Sequence, residues 1–155
     1  MNKRRRTVLR LAGGAGAWSA AAACGLIAGG QAWAANRNEA AFQAKAVADA
    51  LKNLGAGNLV ESRDIVITAP DIAENGAVVP VAVTSKIANT ESIAILAEKN
   101  PFPLAASFDI TPGADAYVST RIKMGQTSDV RAIVKAGGKY FTATKEVKVT
   151  VGGCG

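Results

Sequence analysis

From residue 58 onward the chain repeats with a period of two, and that period limits what it can become. Val147, Val149 and Val151 alternate with Glu146, Lys148 and Thr150. In extended backbone successive side chains point to opposite faces, so this spacing makes one apolar face and one wet face. Similar segments rich in Val, Ile and Thr recur upstream, separated by turn residues. They predict strands over 64–68, 77–84, 92–96, 105–110, 116–124, 128–134 and 140–151. Asn75-Gly76, Pro112-Gly113 and Gly137-Gly138 are the turn signals among them.

Seven short strands at this spacing predict a mainly β domain over residues 58–151, an immunoglobulin-like antiparallel β-sandwich. Only residues 39–54 read as helix. Phe42, Val47, Ala50, Leu51 and Leu54 share one face, while Glu39, Lys45, Asp49 and Lys52 lie elsewhere. Gly55 and Gly57 follow in the manner of a C-terminal cap. Residues 35–57 are therefore expected to form an N-terminal helical segment packed on the domain.

The opening differs from the rest. Lys3, Arg4, Arg5, Arg6 and Arg10 precede an uncharged, Ala/Gly-rich stretch from 11 to 36, and Ala32-Trp33-Ala34 offers small residues where a signal peptidase reads. Arg5-Arg6-Thr7-Val8-Leu9-Arg10 fits the twin-arginine pattern. Residues 1–34 are thus expected to be a twin-arginine signal peptide, cleaved after Ala34, that delivers the chain to the bacterial periplasm. An uncleaved membrane anchor is the weaker reading, because glycine and alanine insert poorly. So is a lipoprotein site at Ala21-Ala22-Ala23-Cys24, which lacks the favoured leucine. The mature protein is not expected to be membrane-embedded.

The leader holds five of the 18 basic residues; beyond it 13 Lys and Arg face 12 Asp and Glu. A nearly neutral domain exerts no general pull on nucleic acid, so no nucleic-acid partner is expected. Histidine is absent. That excludes Ser-His-Asp and Cys-His catalysis and His-ligated metals. Two cysteines make neither a zinc site nor a disulfide framework, so no metal and no cofactor are expected.

After cleavage Cys154 is the sole cysteine, in the tail Gly152-Gly153-Cys154-Gly155. Glycine on both sides removes bulk and frees the backbone. The sulfur has no apolar neighbour to bury it and no histidine to act as its base. Residues 152–155 therefore read as a flexible swinging arm that presents an attachment thiol to the active sites of other proteins. The chain is expected to be no enzyme itself. A second reading is a scaffold that dimerises through an intermolecular disulfide at Cys154.

The tail Val149-Thr150-Val151-Gly152-Gly153-Cys154-Gly155 resembles that of the SoxY family, the sulfur carriers of the thiosulfate-oxidising Sox system. Three further segments carry the resemblance: Ala73-Glu74-Asn75-Gly76-Ala77-Val78-Val79-Pro80-Val81, Glu98-Lys99-Asn100-Pro101-Phe102-Pro103-Leu104, and Ser119-Thr120-Arg121-Ile122-Lys123-Met124 through Gln126-Thr127-Ser128. The family's usual ending is Gly-Gly-Cys-Gly-Gly, whereas one glycine follows the cysteine here. The resemblance implies a heterodimer with SoxZ and covalent attachment of thiosulfate-derived sulfur at Cys154. It implies transient docking with the haem enzyme SoxAX, which joins thiosulfate to the thiol, and with the manganese-dependent hydrolase SoxB, which releases sulfate. Where present, the sulfane dehydrogenase SoxCD oxidises the sulfur that remains.

Two other features carry expectations. Arg121 and Lys123 alternate with Ile122 and Met124, placing the cations on the wet face of a strand. Residues 116–155 carry seven basic and two acidic groups, an excess that suits guiding anionic sulfur species, docking on acidic clefts, or chance placement on exposed strands. Pro101-Phe102-Pro103 reads as an inter-strand turn with a buried ring, the alternative being a ring offered to a partner.

Overall fold

The computed structural model describes residues 37–150. The predicted signal peptide, Val151 and the arm glycines Gly152, Gly153 and Gly155 with Cys154 lie outside the described residues. Among the described residues two short helices, α1 (Glu39–Phe42) and α2 (Val47–Asn53), precede nine strands. These are β1 (Leu59–Glu61), β2 (Ile65–Thr68), β3 (Ile72–Ala73), β4 (Val79–Ser85), β5 (Thr90–Ala97), β6 (Leu104–Asp109), β7 (Tyr117–Ile122), β8 (Ser128–Ala136) and β9 (Lys139–Val149). All seven predicted strands are present, shifted by a few residues at their ends.

The strands form two sheets. One runs β1-β9-β8-β5-β6, with β3 also pairing with β9; the other runs β2-β4-β7. Consecutive strands β4 and β5 lie in different sheets, as do β6 and β7, giving the crossed connections of an immunoglobulin-like sandwich. Gly137 and Gly138, both at positive φ, form the two-residue hairpin that joins Ala136 to Lys139.

Two short strands depart from the antiparallel pairing of the rest. β1 and β3 both run parallel to β9, with Leu59 opposite Tyr140 and Ala73 opposite Val149. β9 is eleven residues long and has β8 on one side only. The two short strands occupy its other side, where an uncovered edge would leave a row of unpaired backbone groups.

The core follows the alternation. Val79, Val81 and Val83 of β4 meet Ile93, Ile95 and Ala97 of β5, Val130, Ala132 and Val134 of β8, and Val147 of β9. β5 is apolar on both faces. Its Ala94 and Leu96, with Leu104 and Ile133, turn outward against Ala41, Ala44, Ala50 and Ala56. The helices thus form a third layer on the larger sheet, and the predicted apolar face (Phe42, Val47, Leu51, Leu54) packs there.

The single helix expected over 39–54 is instead two helices broken at 43–46. In one straight helix residues 38 and 53 would lie about 22 Å apart. Here the Asn38 side-chain amide donates to the Asn53 carbonyl at 2.8 Å, and the Asn53 amide donates to the Ala40 carbonyl at 2.9 Å. The fold-back brings the buried alanines of both helices onto the sheet. The cap at the end of α2 is as expected: Ala56 N–H donates to Leu51 and Gly55 N–H to Lys52. No helix among the described residues is long and apolar enough to cross a membrane.

Candidate functional site

The described chain ends at Thr150, one residue past β9. How that end is held decides where anything beyond it begins. β3 lies alongside: Lys148 N–H donates to the Asp71 carbonyl at 3.0 Å and Thr150 N–H to the Ala73 carbonyl at 3.1 Å. On the other side Thr127 Oγ1 accepts from Val149 N–H at 3.0 Å. Val147 is fully buried, Val149 half-buried, and Lys148 and Thr150 are exposed, so the predicted alternation holds up to the described end.

Three connections surround this root. In the β3–β4 connection Asn75 makes a turn, accepting from Val78 N–H through its carbonyl and from Ala77 N–H through its side chain. The next residue, Gly76, accepts from Met124 N–H at 2.7 Å. A Cβ on Gly76 would stand 2.8 Å from Val149 Cγ1 and closer still to the Met124 carbonyl oxygen. Its φ is not in the left-handed region, so glycine is required here by crowding rather than by the turn. The β7–β8 connection is fastened to the β5–β6 connection in turn. Asn100 donates to the Lys123 carbonyl at 2.7 Å and accepts from Gly125 N–H at 3.2 Å. Gln126 donates to the Lys99 carbonyl at 3.2 Å, and Lys99 N–H donates to the buried Ser128 hydroxyl at 3.0 Å.

The three internal segments that carried the resemblance in sequence are therefore adjacent in space, grouped at the end of the sandwich where β9 finishes. Composition and spacing single out neither Gly76, Asn100, Thr127 nor this grouping. The only local signal was the Asn75-Gly76 turn, and it pointed to the wrong property of the glycine.

Phe102 corrects another expectation. The residue is 50% exposed, while Pro103 beside it is buried. β5 and β6 pair closely, with Ala97 N–H donating to the Pro103 carbonyl at 2.8 Å. The tight connection turns Pro103 inward and leaves the preceding ring outside. Arg121 and Lys123 are exposed and Ile122 and Met124 buried, as the alternation predicts.

Charge at this end is uneven. Glu98 is neutralised by an ion pair with Arg131. Lys99, Lys123 and Lys148 are exposed and make no ion pair among the described residues. At the opposite end of the sandwich, Lys135 sits 2.9 Å from Glu91. Its hydrogen bond, helped by the Gly138 N–H, holds the Glu91 carboxyl below the ordinary carboxylate range.

A cleft of about 470 Å³ also lies at that opposite end, lined by Ile87, Asn89, Ile110 and Pro112 among others. At about 3.3 Å per residue, the eleven residues of β9 place it some 35 Å from the β9 terminus. Among the described residues no set of three or more His, Cys, Asp or Glu is placed to hold a metal ion.

Comparisons with known proteins agree with this arrangement. A family model described as sulfur oxidation protein SoxY matches residues 51–154. Among solved structures the chain is similar to the sulfur carrier protein SoxY from Chlorobium limicola f thiosulfatophilum. Identity is 42%, covering 66% of this chain and 96% of that one, with a TM-score of 0.60. A superoxide reductase (neelaredoxin) from Ignicoccus hospitalis shares the fold alone, at 22% identity over 57% of this chain and 81% of that one, with a TM-score of 0.50. No curated protein matches. Matched by the family model over most of its length and sharing the fold of a 42%-identical sulfur carrier, the chain belongs to the SoxY family of sulfur oxidation proteins.

Proposed function

We propose that this chain is a periplasmic carrier that holds thiosulfate-derived sulfur covalently on Cys154 and presents it to partner enzymes. The observation that carries the reading is that the family match runs through residue 154, and so includes the Gly152-Gly153-Cys154 tail. The anchored end of β9 supports it. Val149 and Thr150 are hydrogen-bonded on both sides, so the residues that follow start from a fixed root.

In the loading step the thiol sulfur bonds to the sulfane sulfur of thiosulfate, giving a cysteine S-thiosulfonate. The thiol proton is released and two electrons pass to the haem enzyme SoxAX. Hydrolysis by SoxB then breaks the bond to the sulfonate sulfur, with water supplying the oxygen. Sulfate and protons leave and a persulfide stays on Cys154. SoxCD, where present, oxidises that sulfur for a second hydrolysis. The chain works in a heterodimer with SoxZ, after export by the twin-arginine route and cleavage after Ala34.

Intact mass analysis of the protein from thiosulfate-fed cells tests this. The expected result is adducts of thiosulfonate and persulfide mass that Cys154→Ser abolishes without changing the melting temperature. Gly152→Val with Gly153→Val should slow loading, since β-branched side chains stiffen the arm beside the sulfur. Obligate disulfide-linked dimers at Cys154, with no sulfur adduct, would overturn the reading in favour of the dimerising scaffold.

A further inference from the structure

We propose, resting on the carrier reading above, that the sandwich end around the root of the arm is a docking surface. Phe102 is its apolar anchor, and Lys99 and Lys123 are its flanking cations. Its occupant is the rim of a processing enzyme's cleft, an apolar pocket bordered by carboxylates.

The length of the arm leads there. Cys154 lies four residues past Thr150, the last described residue. Fully extended, those residues span about 14 Å, and an enzyme that encloses the sulfur uses much of that reach in the depth of its own cleft. The mouth of the cleft must then come down onto the connections that surround the root: β3–β4, β5–β6 and β7–β8. Whatever those connections expose is what the enzyme touches each time sulfur is exchanged.

What they expose is suited to contact. Phe102 leaves half its surface in water, and Val78 across the root is 49% exposed. Pro101 and Pro103 flank the ring and restrict the backbone that carries it. An anchor held this way loses little freedom on binding. The charges also have a sign. Glu98 is already paired with Arg131, which leaves Lys99 and Lys123 exposed, and Lys148 adds a third cation beside the root. Glu74 is the one carboxylate on these connections without an ion pair among the described residues, while Asp129 and Glu146 stand on the adjoining strands. On the connections themselves Lys99 and Lys123 outnumber Glu74, and the surface that complements them carries carboxylates.

The test uses the mature chain in its heterodimer, with the purified thiosulfate-conjugating enzyme and the carrier as the varied substrate. Phe102→Ala is expected to raise KM for the carrier about tenfold, with kcat changed by less than about twofold. Lys99→Glu with Lys123→Glu is expected to raise KM about tenfold at low salt, an effect that shrinks as salt screens the charges. Alkylation of Cys154 by iodoacetamide, the melting temperature and heterodimer assembly should match the parent in both variants. Unchanged KM in both variants overturns the proposal. So does loss of the heterodimer in Phe102→Ala, or its conversion to another assembly state, since either assigns the surface to a structural partner or a second copy. Cys154→Ser, run in parallel, separates the two levels. If it takes up no sulfur while the docking variants load normally, the docking surface falls and the carrier reading stands. If it loads like the parent, both fall.

Discussion

Gly76→Ala offers a sharp test of how the root of the arm is built. The added Cβ would overlap the Met124 carbonyl oxygen, which is backbone, and would stand 2.8 Å from Val149 Cγ1. Neither neighbour is the far end of a flexible side chain. Relief requires the β3–β4 and β7–β8 connections to separate, which stretches the Met124 N–H to Gly76 carbonyl bond, now 2.7 Å. Overpacking of this kind costs about 1–3 kcal/mol, and a weakened hydrogen bond adds about 0.5–1.5 kcal/mol. The expected loss is about 2–4 kcal/mol. For a domain of this size that corresponds to a fall in Tm of roughly 8–15 °C. Gly125→Ala in the facing connection is the matched control. Its Cβ meets nothing within 4 Å and its φ is not left-handed, so the change should be neutral or slightly stabilising through the unfolded chain. Urea denaturation of both variants beside the parent gives the difference directly. A Gly76→Ala stability within about 0.5 kcal/mol of the Gly125→Ala value would refute the crowding argument, and would mean that the β9 terminus is not clamped as described.

Two further predictions concern other parts of the fold. Leu96, fully buried on the helix-facing side of β5, should cost about 3 kcal/mol when changed to Ala, and hydrogen exchange should show lost protection in α1 and α2; a cost below about 1 kcal/mol would mean that the helical layer is not packed on the sheet. Glu91 should titrate below the ordinary carboxylate value of 4.5, chiefly because of the Lys135 hydrogen bond, and Lys135→Met should return it toward that value by NMR. A depressed carboxyl pKa stabilises above the unfolded value and loses its effect as pH falls through the folded one. Any stabilisation from this exposed pair is therefore present at neutral pH and fades as pH falls below about 4.5, and a melting difference between Lys135→Met and the parent that appeared only in acid would contradict it.

Local features are legible in residue order alone. Alternation along 146–151 and similar runs marked seven strands, because side-chain direction in extended backbone depends only on position along the chain. Gly137-Gly138 marked a hairpin, since a two-residue turn demands positive φ whatever surrounds it. The apolar positions of 39–54 named the face that packs on the sheet, though not the break between the helices, across which Asn38 donates to the Asn53 carbonyl and Asn53 to the Ala40 carbonyl. Tertiary structure decided the rest. β1 and β3, of three and two residues, are too short to show a period and exist because β9 offers an edge. Gly76 reads as a turn glycine and proves to be a close approach, because the atoms that crowd it, on Met124 and Val149, are 48 and 73 residues away in the chain. Phe102 reads as a core ring and faces water, because the tight β5–β6 connection buries its proline neighbour instead. The grouping of three distant segments around one strand end has no trace in any of them singly. It arises only when the two sheets pack and bring their connections to a common end.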